Sequence, residues 1–209
     1  MAKKSQNSLQ KFLYLSIAAA IATILLKFYA YYVTDSMGFL SDALESFVNL
    51  FAAIFALIML NLSQRPADDG HKYGHGKAEY FSSAMEGALI LIAAFSIIWS
   101  AVPRIIDPVP LDNINTGLLF SLLASLVNLV VGQMLIKGGK ARKSVVLEAD
   151  GRHLMTDVWT SAGVIIGIII VKFTGWLLID PIIAILVAIN IIHTGYKLIS
   201  RSASGLMDA

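Results

Sequence analysis

The chain contains no cysteine, which excludes disulfides and thiolate metal sites and leaves nitrogen and oxygen as the only ligands for any metal. Charge is scarce: Asp, Glu, Lys and Arg make up 14% of the 209 residues, and the formal net charge is +2. The basic residues fall at segment ends and in loops instead of along one face, so there is no nucleic-acid signal. A phosphate-binding glycine loop and a nucleophile constellation are both missing, and nothing supports an enzyme. Of the five prolines, Pro66, Pro108, Pro110 and Pro181 stand near segment boundaries, where breakers belong.

Apolar residues are abundant. They form 57% of the chain, and the mean hydropathy is +0.73. Six apolar segments emerge, at about 9–33, 37–63, 78–106, 115–136, 144–173 and 177–200, each long enough to cross a hydrocarbon core about 30 Å thick. Lys3 and Lys4 before the first segment outline a signal peptide, but its apolar run continues past Lys27 without a cleavage site, so it is read as a retained helix. Gly138 and Gly139 are expected to end the fourth segment. The expected fold is an all-α, six-helix transmembrane bundle over 1–209, embedded in a lipid bilayer, with no soluble domain after it.

Lys3, Lys4 and Lys11, then Arg65, Lys72 and Lys77, then Lys137, Lys140, Arg142 and Lys143 lie on one side of this topology, together with Lys197 and Arg201. The loops on the other side carry no Lys or Arg, so the positive-inside rule makes both termini cytoplasmic.

Two polar stretches interrupt the apolar runs. Asp150, His153 and Asp157 lie in the fifth segment, and Asp42, Glu45 and Asn49 in the second, at the same i, i+3, i+7 spacing. Residues at i and i+4 share a helix face, so Glu45 with Asn49, and His153 with Asp157, can each aim two ligands at one point. Ionisable groups inside a bilayer are costly, about 2.5–3.5 kcal/mol each on insertion scales, and usually mark an ion or proton path. The plainer alternative is an ion-paired structural cluster. Antiparallel packing of the second and fifth segments sets Glu45 level with Asp157 and Asn49 level with His153, while Asp42 and Asp150 extend the stripes toward opposite membrane faces as accessory carboxylates. Asp68, His71 and His75 repeat the spacing in a glycine-bearing cytoplasmic loop, where a hydrated loop is the plain alternative. Lys27 and Glu86 are expected to pair inside the bundle, and Gly163 with Gly167 to form a close helix contact.

Ser41-Asp-Ala-Leu-Glu45-Ser-Phe-Val-Asn49, His71-Lys-Tyr-Gly-His75-Gly-Lys-Ala-Glu79 and His153-Leu-Met-Thr-Asp157 resemble the transmembrane domain of the cation diffusion facilitator family, as does the Leu206-Met-Asp208 ending. The resemblance covers nearly the whole chain. It implies a divalent-metal/proton antiporter whose transport site is Glu45, Asn49, His153 and Asp157, with Asp68, His71 and His75 matching a second zinc site found in some members. Zinc is the first substrate it implies, with manganese, iron, cobalt, nickel and cadmium as further candidates and H+ as the counter-ion. It also implies a homodimer in a bacterial inner membrane. Many zinc-moving members carry two aspartates, or a histidine and an aspartate, where this chain has Glu45 and the neutral Asn49. Most members also continue into a cytoplasmic, ferredoxin-like domain. A metal-sensing or scaffold membrane protein that keeps the site without turning over is the alternative function.

Overall fold

A computed structural model describes residues 2–63, 77–142 and 145–207. They form six helices: α1 (Ala2–Thr34), α2 (Met37–Ser63), α3 (Ala78–Ile106), α4 (Ile114–Arg142), α5 (Val145–Thr174) and α6 (Ile179–Met207). Five stretches among the described residues are long and apolar enough to cross a membrane: Tyr14–Thr34, Ser83–Ile106, Ile114–Ala141, Asp150–Thr174 and Ile179–Ser204. The chain is an all-α membrane bundle.

The bundle is built from helix pairs. α3 packs most extensively on α6, α4 on α5 and α1 on α4, while α2 touches α1, α3, α5 and α6. Its surface is the inverse of a water-soluble one. Tyr32, Trp99, Ile106, Trp159 and Phe173 point outward, whereas Lys27, Asp42, Asn128, Asp157 and Ser161 are buried. Lipid rewards an apolar exterior, and polar side chains gain by turning inward to one another.

Glycine permits the closest helix contacts. A Cβ on Gly151 of α5 would lie 2.7 Å from the Gly132 carbonyl oxygen of α4, and one on Gly87 of α3 would lie 2.9 Å from the Gly195 carbonyl oxygen of α6. The expected Gly163–Gly167 contact needs correcting: space around Gly163 is open, and only Gly167 meets a neighbour, the Ile183 side chain. Four-residue spacing identifies a face, but which face meets another helix depends on the partner. Gly138 and Gly139 also do not end α4. The helix continues to Arg142, and Gly138 makes room for the Phe12 ring of α1, which a Cβ would approach to 2.9 Å.

Local chemistry fixes the end of the bundle where α1 passes into α2. Asp35 takes the left-handed conformation (φ 54°), and its amide donates to the Tyr31 carbonyl at 2.8 Å. Ser36 then caps α2, its hydroxyl oxygen accepting from the Phe39 amide. From the first turn of α6, Asp180 accepts hydrogen bonds from the Ser36 hydroxyl at 2.6 Å, the Met37 amide at 2.8 Å and the Gly38 amide at 2.9 Å. A carboxylate here satisfies otherwise unpaired amides and complements the positive helix end. This clamp ties the start of α2 to the start of α6, which positions the next two turns of α2.

Candidate metal site

The polar interior is organised around α2. Lys27 of α1 donates from Nζ to Asp42 Oδ1 at 2.8 Å and to Ser46 Oγ at 2.7 Å. From α5, the Ser161 hydroxyl lies 2.8 Å and 2.9 Å from the two Asp42 carboxylate oxygens. Three helices thus meet at one carboxylate. The expected Lys27–Glu86 pair is replaced by Lys27–Asp42, because Lys27 faces α2. Glu86 of α3 instead lies within electrostatic reach of His153. Asp42, expected as an accessory carboxylate on the way in or out, is sealed inside the bundle with an ammonium and a hydroxyl against its oxygens.

The contact between Asp42 and Ser161 sets the register of antiparallel α2 and α5. Three residues along α2 lead to Glu45, and four residues back along α5 lead to Asp157. A further turn on each helix leads to Asn49 and His153. Asp157 is buried, within electrostatic reach of Lys27, His153 and Asp42, and its charge also acts on Glu45. His153 lies on an exposed face of α5, and Asp150 is half-buried one turn before it. Among the described residues, no three of His, Cys, Asp and Glu converge closely enough to hold a metal ion. Asp68, His71 and His75 lie outside the described residues.

Glu45 and Asn49 line a cavity of ≈ 50 Å³ between α2, α3 and α6. Asn190 and Thr194 of α6 supply its other polar groups, and Ile90 and Ile191 contribute apolar wall. Glu45 Oε2 is buried and has no hydrogen-bond partner among the described residues. Sequence reasoning missed Asn190 and Thr194. The available signal was the one used for α2 and α5, two polar residues four apart in an apolar run, but neither residue is ionisable.

The family model for the cation efflux transmembrane domain matches residues 13–207. The chain belongs to the cation efflux family. These are the cation diffusion facilitators that its motifs resemble. An uncharacterized transporter of Synechocystis sp. is 49% identical over 194 residues, covering 93% of this chain and 63% of the relative. The cation-efflux pump FieF of Shewanella oneidensis is 30% identical, covering 92% and 65%. A protein of Bacillus subtilis named as a cadmium, cobalt and zinc/H(+)-K(+) antiporter is 28% identical, covering 85% and 57%. The chain spans less than two thirds of the length of each of these relatives.

Proposed function

We propose that this chain is the membrane part of a secondary transporter that exports a divalent transition-metal cation from the cytoplasm in exchange for protons. The observation that carries this reading is the contact of Asp42 on α2 with Ser161 on α5, from which helical spacing along the two antiparallel helices supports pairing Glu45 with Asp157 and Asn49 with His153. Family membership and the names of the pump and antiporter relatives support it.

Formal charge agrees with a divalent substrate. Lys27 compensates Asp42, so Glu45 and Asp157 are left with two negative charges, and one divalent ion makes the site neutral. A neutral loaded site suits passage through a low-dielectric interior. Imidazole and carboxylate bind metal in their deprotonated forms, so metal and protons compete for His153, Glu45 and Asp157, and that competition provides exchange. Imidazole and carboxylate ligands together suit zinc, the first candidate, and iron, and carboxylate and amide oxygens also admit manganese.

In this reading both termini face the cytoplasm of a bacterial inner membrane, two copies form a homodimer, and Asp68, His71 and His75 hold a second zinc ion in the cytoplasmic loop. Metal flux into proteoliposomes under an imposed pH gradient tests the function. Zn2+ movement that follows the gradient is expected. Metal binding without gradient-dependent movement would instead mark a sensor or scaffold.

A further inference from the structure

We infer that the transport site extends onto α6, where Asn190 and Thr194 complete an all-oxygen pocket around Glu45 and Asn49 that selects for harder divalent cations such as Mn2+. This rests on the proposed transport reading and goes beyond its α2 and α5 ligands.

The cavity is walled by two pairs of residues with helical i, i+4 spacing. Glu45 and Asn49 of α2, both half-buried, and Asn190 and Thr194 of α6, both exposed, line the same half-open space of ≈ 50 Å³. A water-sized occupant needs about 10–15 Å³ by this measure, so the cavity accommodates a cation with part of its hydration shell. The Thr194 hydroxyl donates to the Asn190 backbone carbonyl at 3.2 Å, which spends its proton and leaves its oxygen lone pairs as acceptors.

Every metal donor facing this space is an oxygen: one carboxylate, two amide carbonyls and one hydroxyl. Carboxylate, carbonyl and water ligands suit Mn2+, whereas imidazole suits Zn2+. The Glu45 side chain lines the cavity, and its carboxylate is short of hydrogen bonds, Oε2 being buried with no partner among the described residues. A buried carboxylate short of hydrogen bonds is expensive, so Glu45 is the residue that gains most from a cation. Neither His153 nor Asp157 of α5 is among the cavity-lining residues. Zn2+ therefore gains its nitrogen ligand from α5, and Mn2+ gains its additional oxygens from α6.

The test measures Mn2+ and Zn2+ affinity separately, by equilibrium dialysis of the full chain purified in detergent. Asn190→Ala combined with Thr194→Val is expected to weaken Mn2+ binding by about tenfold or more, the range seen when groups supporting a metal are removed. Zn2+ affinity changes by less than about threefold, because its preferred nitrogen ligand is untouched. Asn190→Asp, which keeps an oxygen and adds charge, is expected to tighten Mn2+ more than Zn2+, so the proposal does not depend on the double variant folding. Equal losses for both metals, unchanged Mn2+ affinity in the double variant, or no Mn2+ binding by the wild type would overturn it. Flux separates the two readings: Mn2+ binding that depends on Asn190 without gradient-driven flux removes transport and keeps the pocket, whereas flux and binding indifferent to Asn190 and Thr194 remove the pocket and keep transport.

Discussion

Lys27 Nζ and Asp42 Oδ1 lie 2.8 Å apart with both side chains 1% exposed, so the interior of this membrane bundle is pinned by an ion pair shielded from solvent. Ser46 and Ser161 complete the hydrogen bonding and join α1, α2 and α5 at the point that sets the register of the candidate metal ligands. Removing one member of a buried pair leaves the other charge uncompensated, which typically costs about 3–5 kcal/mol. Lys27→Met and Asp42→Leu are each expected to destabilise the protein on that scale, and the double variant by less than the sum. Denaturant unfolding in detergent checks this, and strictly additive losses would contradict a coupled pair.

Close backbone approach makes a second prediction. Gly151→Ala drives a methyl group to 2.7 Å from the Gly132 carbonyl oxygen and is expected to destabilise by about 1–3 kcal/mol, the usual cost of overpacking. Gly163→Ala meets nothing within 4 Å and is expected to stabilise by about 0.5–1 kcal/mol, the helical advantage of alanine over glycine. Thermal unfolding of the two variants side by side is the measurement, and equal losses would argue against the α4–α5 contact.

His153→Ala and Asp157→Ala each delete a proposed ligand from α5. Either should lower Zn2+ affinity by more than about 100-fold, beyond the range reported for supporting groups, and stop transport. Dialysis and proteoliposome flux on the same preparations give the answer. Full transport by either variant would remove α5 from the site.

Asn49→Asp adds a third carboxylate opposite α5 and changes the formal charge of the loaded site from zero to minus one. The expected result is an altered order of preference among zinc, manganese, iron, cobalt, nickel and cadmium, together with altered proton coupling. Competition binding and pH-dependent flux read the two effects. An unchanged metal order and an unchanged pH profile would place Asn49 outside the ligand shell.

The amino-acid sequence alone determined the six-helix membrane architecture, because a bilayer admits few solutions for a chain so rich in long apolar runs. The same scarcity of charge made Glu45, His153 and Asp157 visible as costly exceptions. Only the tertiary structure decided which exceptions meet. Lys27 is buried against Asp42 and not Glu86, and Gly151 makes the close approach that Gly163 does not. Asn190 and Thr194 of α6 line the same cavity as Glu45 and Asn49 of α2, a meeting that depends on how α6 packs on α2 and α3. Helical periodicity places side chains on a face of their own helix, but rotation and register against a neighbour depend on packing and hydrogen bonds between residues far apart in the chain.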